Sequence, residues 1–384
     1  MYHNGKKQQI VSDNPELLLC ENGDFKIKAD LVEQYEIIDM HCHIFRGLSQ
    51  LFPSFLQKQK FNKNISLMDM SCFPFSLGLF DLNKIYFTKC PTQLLSVDGI
   101  KTRIKLFSGA LVLNYATVDR LMMDMEANHI QRAVVQQINP PNKSCAEVMN
   151  NIVKNNDRLY TFGSIHPFDD NILAKIDNYM KMDIKGWKLN PHIWGVPIDC
   201  DESIALLKEL AKTKLPIMSC SGIGLPKEML NSAVPTKQTK KEVMTQHLPK
   251  FEKVLDCIPN TTFILAHSDY FDFEHVIDIM KKYPNIYTDI SIQPAVNIKK
   301  MISEIGNERI MFGTDYPFVT QAFSIRSVLR ATGDEQERRN VFCENAKKLL
   351  GIQYHGKTCQ VSVYRDKTNV VREKSEIGKM NCYN

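Results

Sequence analysis

From residue 117 onward the chain alternates short apolar runs with amphipathic segments of helical period, and this rhythm narrows the folds open to it. Runs with strand character lie at 132–138 (RAVVQQI), 160–165 (YTFGSI), 184–189, 215–219 (LPIMS), 262–266 (TFILA), 285–291 (NIYTDIS) and 309–313 (RIMFG). Helical segments fall between most of them: 170–182, 201–213, 249–258, HVIDIMKKY, VNIKKMISEI and 335–350. An earlier helix opens at Thr117, which reads as an N-cap, and presents Val118, Leu121, Met122 and Met125 on one face. A first strand at 35–40 brings the number of strands to eight. Regular alternation implies parallel strands with right-handed crossovers. Eight such units close into an α/β fold of the (β/α)8 TIM-barrel type. An open doubly wound sheet is the alternative, but G-x-G-x-x-G is absent after the first strand.

In such a barrel the chemistry sits at the C-terminal ends of the strands. The first strand ends in YEIIDMHCHIF, where His41 and His43 are two apart. Residues two apart on a strand share a face, so both imidazoles can reach one cation, and Asp39 on the same face can orient them. The other ends are chemically biased as well. They carry His166, Lys188 with His192 nearby, Cys220, His267 and Asp315. Each alone has an ordinary structural explanation, but their convergence on one mouth points to a metal site.

The remaining sequence sets limits. With 384 residues, of which 43% are hydrophobic, the chain can bury one large core. We divide it into an N-terminal extension (1–34), the barrel (35–352) and a C-terminal extension (353–384). Within the barrel, 46–116 is rich in Phe, Leu and Met without a sustained period, and we read it as a lid inserted after the first strand, with Arg46 at its root. That apolar lid is also a candidate homodimer contact. The net charge of +5 is interleaved along the chain and gives no basic stripe for nucleic acid. No apolar run is long enough for a membrane span, and the N-terminus lacks a signal-peptide pattern, which suggests a cytoplasmic protein. The 11 cysteines form no C-x-x-C pair and read as reduced thiols.

The stretches IIDMHCHIF, GWKLNPHIWGVPID, LPIMSCSGIG, TTFILAHSDYF, NIYTDIS, RIMFGTDYPF and RRNVFCENAKKLLGI resemble, in order, the amidohydrolase superfamily. The branch they are similar to is that of amidohydrolase-related metal-dependent hydrolases, which also holds the aminocarboxymuconate-semialdehyde-type decarboxylases. The resemblance runs from 35 to 352. It implies a divalent metal, one Zn2+ in first place with Mn2+ or Fe2+ as alternatives. It implies His41 and His43 as ligands, and Asp315 as both ligand and proton acceptor. His267 would ligate the metal or hold its water. Cys220 stands where the family keeps a histidine, so it is either a substitute thiolate ligand or a packed thiol. Lys188, His192, His166 and Arg46 are expected to contact a small-molecule substrate. The implied activity is hydrolysis of a C–N or C–O bond in a small carboxylated or cyclic substrate. Non-oxidative decarboxylation on the same scaffold, or a catalytically impaired binding protein, are the alternatives.

Overall fold

The computed structural model describes residues 2–44, 61–67, 97, 100, 112–137, 143–194, 196–220, 247–269 and 273–352. A short antiparallel hairpin, β1 (Leu17–Leu19) and β2 (Phe25–Ile27), precedes eight parallel strands. These are β3 (Ile38–Cys42), β4 (Arg132–Val135), β5 (Leu159–Thr161), β6 (Trp187–Leu189), β7 (Ile217–Cys220), β8 (Phe263–Ala266), β9 (Ile286–Asp289) and β10 (Ile310–Met311). All eight expected strands are present, mostly with shorter bounds.

They pair in chain order as β3-β4-β5 and β6-β7-β8-β9-β10. Backbone hydrogen bonds join the two sheets at both seams. Between β5 and β6, Gly163 N donates to Gly186 O at 2.9 Å and Lys188 N donates to Gly163 O at 2.7 Å. A Cβ on Gly163 would stand 2.7 Å from the Trp187 ring, so the close approach of strand to ring requires glycine there. Between β10 and β3, Met40 N donates to Phe312 O at 3.0 Å, Asp315 N to His41 O at 2.7 Å and His43 N to Tyr316 O at 2.7 Å. The eight strands thus form the ring expected from the alternation.

The barrel strands are buried almost throughout, because helices cover their outer face. Trp187, Leu189, Ile217, Phe263, Leu265 and Ile286 pack against Leu206, Leu210, Phe251, Val254, Val276 and Met280 from the surrounding helices. Thr117 caps its helix as expected, accepting from Arg120 N. The segment expected as one helix at 335–350 contains a π turn at Asn340–Glu344. There the Val341 carbonyl accepts from Phe312 N at 2.8 Å, which draws a helix carbonyl toward the end of β10.

Two regions differ from the sequence reading. The helix Gln321–Ala331 escaped it because nearly the whole of the helix is buried, Gln321 and Arg326 included, so it has no polar stripe to set a period. The extension 1–34 is not merely peripheral. Leu17, Phe25, Ile27 and Val32 are buried, and the Phe25 ring centroid lies 5.2 Å from that of Phe323. Strands of three residues are too short to declare themselves by alternation.

Of the expected lid, only 61–67, 97, 100 and 112–116 are described; the rest, including Arg46, lies outside the described residues. The chain also divides into a unit Met1–Gly351 and a unit Ile352–Asn384, the latter outside the described residues beyond its first position. No helix among the described residues is long and apolar enough to cross a membrane.

Candidate metal centre

The C-terminal end of β3 delivers His41 and His43 to the mouth with ring centroids 5.1 Å apart. Asp315 follows β10. Its Oδ1 lies 3.1 Å from His43 Nε2 and 3.8 Å from His41 Nε2. All three residues are buried. Their ligand atoms fall within 4.8 Å of one another, the spacing of a cluster able to share one ion.

Hydrogen bonding at the far side of each ring says what the near side offers. His43 Nδ1 faces the Gln136 carbonyl at 3.0 Å, and His41 Nδ1 faces Asp289 Oδ2 at 3.0 Å. A carbonyl and a carboxylate oxygen only accept, so both rings carry their proton on Nδ1 and turn an Nε2 lone pair inward. Burial, reinforced by Lys188 and His43, pushes the His41 pKa well below the usual imidazole range, so this ring is neutral. Two imidazole Nε2 atoms and a carboxylate oxygen therefore face one another across the mouth. Acceptors so arranged fit a divalent cation, and a ligating histidine whose other nitrogen meets a carboxylate or carbonyl is the usual outer arrangement of such sites. Lys188 on β6, fully buried, places Nζ 3.3 Å from His41 Nε2 and contributes positive charge at the same place.

The backbone works to hold these groups. Asp39 does not touch either imidazole. Its Oδ1 accepts from His41 N at 3.0 Å and from Thr314 N at 3.1 Å, and its Oδ2 accepts from Thr314 Oγ1 at 2.6 Å. It thereby orients the histidine pair through the main chain, pinning β3 to the turn before Asp315. Burial lifts its pKa to about 7, against the pull of those three donors. Burial likewise raises the pKa of Asp315, with the His43 bond opposing. Asp315 sits at φ 60°, and His267, Ser268 and Asp269 form a run at φ 61°, 44° and 57°. Left-handed backbone at non-glycine residues costs on the order of 1–3 kcal/mol each and concentrates at functional sites. The 267–269 turn is held by Gln293 Nε2 donating to His267 O at 2.7 Å and by Ser268 Oγ donating to Asp289 O at 2.9 Å.

The other candidates divide. His267 belongs to the mouth: its ring lies 4.3 Å from that of His41, and burial pushes its pKa well below the imidazole range. The Cys220 thiol donates to Asn190 Oδ1 at 3.4 Å and joins neither potential metal cluster among the described residues. Burial raises its pKa, which favours the thiol over the thiolate, while Lys188 opposes. His166 stands apart after β5, its ring 5.2 Å from Trp194 and 5.9 Å from Phe168. His192 falls in the short helix Pro191–Trp194, and its side chain is outside the described residues.

The sequence reading missed Asp289, which forms a second cluster with His41 and His267. It ends β9, so the strand-end rule that singled out Asp315 applied equally to the aspartate of NIYTDIS. Gly313 makes room for it, since a Cβ there would lie 2.9 Å from Asp289 Oδ1 and 3.1 Å from His41 Cβ.

Comparison with known proteins agrees with this architecture. The amidohydrolase family model matches residues 38–352. No curated protein matches the chain. Among solved structures, 5-carboxyvanillate decarboxylase from Sphingomonas paucimobilis is 12% identical with a TM-score of 0.55, covering 83% of this chain and 100% of its own. The 5-carboxyvanillate decarboxylase of Novosphingobium aromaticivorans, solved with manganese and 3-methoxy-4-hydroxy-5-nitrobenzoic acid, is 16% identical with a TM-score of 0.56, covering 86% and 100%. A TIM-barrel protein from Bordetella bronchiseptica is 14% identical with a TM-score of 0.54, covering 82% and 98%. At these identities the likeness is one of fold. The family match runs from the first barrel strand to the last helix and takes in every group of the mouth described above: the chain belongs to the amidohydrolase family and has its TIM-barrel fold.

Proposed function

We propose that the chain is a metal-dependent, non-oxidative decarboxylase of a small carboxylate, and that hydrolysis of a C–N or C–O bond, the activity first implied by the sequence, is the second reading. The observation that carries the proposal is the set of inward acceptors, His41 Nε2, His43 Nε2 and Asp315 Oδ1, beside the buried ammonium of Lys188. The fold likeness to two 5-carboxyvanillate decarboxylases supports it.

His41, His43 and Asp315 would hold a divalent metal, zinc or manganese by donor type, which when bound supplies Lewis-acid charge against the substrate's anionic oxygens. Lys188 faces the same space and pairs with the substrate carboxylate. Burial raises the Asp315 pKa, while its bond to His43 and the charge of Lys188 lower it. In decarboxylation the C–C bond to the carboxylate breaks, its electron pair stays on the carbon, CO2 leaves, and that carbon takes a proton. Asp315 is positioned to give that proton, and His267, neutral and adjacent, to accept one from a substrate hydroxyl. Hydrolysis would instead need Asp315 to accept a proton from the attacking water.

The test is a panel of aromatic carboxylates, amides and lactones assayed in 18O-labelled water with purified protein of known metal content. Metal-dependent CO2 release without 18O in the product is expected. Isotope incorporation without CO2 would replace decarboxylation with hydrolysis. A metal-loaded protein inert to the whole panel would favour a binding role.

A further inference from the structure

We propose that Asp289 and Ser291 together set the ring tautomers of His41 and His267, so that both histidines present an unprotonated Nε2 to the barrel mouth. This deepens the metal-dependent reading of the mouth and rests on it; Asp289 and Ser291 are positioning residues within it.

The hydrogen bonds around Asp289 account for each proton in turn. Asp289 divides its two oxygens. Oδ2 meets His41 Nδ1 at 3.0 Å, while Oδ1 accepts from Ser291 N at 3.0 Å and from Ser291 Oγ. A serine hydroxyl has one proton to donate. With that proton given to Asp289, Ser291 Oγ can only accept from its other neighbour, His267 Nδ1, at 2.7 Å. His267 therefore carries its proton on Nδ1, and its Nε2 is a lone pair. One carboxylate thus fixes two rings, His41 directly and His267 through a single hydroxyl. Gln136, whose carbonyl fixes His43, is main chain and invariant to its side chain; the Asp289–Ser291 pair depends on side-chain identity.

The surroundings leave this device little freedom. Asp289, Ser291, His41 and His267 are all buried, so no bulk water competes for the four polar atoms. Ser268 Oγ donates to the Asp289 carbonyl at 2.9 Å and to no ring. The His41 and His267 rings pack together, with centroids 4.3 Å apart and planes 31° from parallel. Without the hydroxyl of Ser291, His267 Nδ1–H would lose its acceptor, and the proton would be free to move to Nε2, closing the lone pair.

Two-bond 1H–15N spectra of the full-length, 15N-histidine-labelled protein after chelator treatment read the tautomer directly, with the His267 signals identified by their loss in His267→Gln. The wild type is expected to show a neutral His267 ring protonated on Nδ1. In Ser291→Ala the two nitrogen shifts are expected to converge toward exchange between tautomers, and in Ser291→Thr, which keeps a hydroxyl, to return. An Nε2-protonated His267 in the wild type, or a Ser291→Ala spectrum identical to it, overturns the proposal. The wild-type spectrum decides alone if Ser291→Ala does not fold. On any substrate that is turned over, Ser291→Ala is expected to lower kcat about tenfold with KM unchanged, the usual scale for a partner of a metal-site ligand. A change confined to KM would argue against positioning. The spectra need no turnover, so failure of the decarboxylase reading leaves this result standing.

Discussion

Two buried polar regions flank the end of β10, and they are built on opposite principles. In the first, Arg120, fully buried, donates to Asp24, to both oxygens of Asp124 and to the carbonyls of Asn62 and Ile65. Tyr316 Oη donates to Asp124 at 3.0 Å, and Ser66 Oγ to Asp24 at 2.6 Å. Donors and acceptors are matched, so the region ties the N-terminal hairpin, the 61–67 segment and β10 into one piece. In the second, one residue back at Asp315, acceptors converge on acceptors with Lys188 as the nearest cation. A matched network needs nothing further; an acceptor-rich one is stable only with a cation or proton in its midst. The contrast marks the first as structure and the second as chemistry.

Substitutions can break this contrast, beginning with the largest expected effect. His41→Ala should abolish both metal content and activity, measured by elemental analysis and turnover, while the circular dichroism of the barrel persists. Unfolding on loss of His41 would make the mouth structural after all. Asp315→Asn should retain metal better than His41→Ala yet lose on the order of a hundredfold or more in turnover, the scale for removing a proton-transfer group. Near-normal rates in that variant would pass the proton-transfer role to His267.

Arg120→Ala should do the reverse, lowering stability by about 3–5 kcal/mol in denaturant titration because it strands the buried Asp24 and the half-buried Asp124 carboxylates. A loss below about 1 kcal/mol would show the cluster to be as weak as a surface pair. The same region should carry a pH signature. Burial, against the pull of Arg120, raises Asp124 to about 6 from the model-peptide 3.8. A carboxyl raised in the folded state binds its proton more tightly there than when unfolded, so folding stability falls as pH rises from about 4 to 6. Asp124→Asn should flatten that part of the stability profile, and an unchanged slope would assign it elsewhere. The smallest effect is expected from Cys220→Ser, which should leave metal affinity unchanged because the thiol is engaged with Asn190. Weakened binding would instead bring Cys220 into the coordination sphere, where the family keeps a histidine.

Much of this was legible in the chain itself. The eight strands and the residues at their ends follow from local patterns: apolar runs, helical periods, and a strand that turns alternate residues to one face. His41, His43 and Asp315 could be picked out because the barrel rule converts position at a strand end into position at the mouth. Asp289 obeyed the same rule but was passed over, since an aspartate within an apolar strand looks like any other turn residue until a partner is known. The Gln321–Ala331 helix hid for a different reason, as a helix buried on all sides carries no stripe to read.

What the tertiary structure decided is which polar groups answer one another. Asp289 and His41 are 248 positions apart, Asp24 and Arg120 are 96 apart, and Asp39 meets Thr314 across 275. Sequence fixes that a carboxylate can accept and an imidazole can do either. Whether His41 offers a lone pair or an N–H to the mouth depends on what lies behind the ring, and only the closing of β10 and β9 against β3 puts Asp289 there. Local periodicity determined the frame, because secondary structure is set by near neighbours and burial. The chemistry of the mouth was determined by contacts between distant segments, because a hydrogen bond acts over about 3 Å of space and takes no account of distance along the chain.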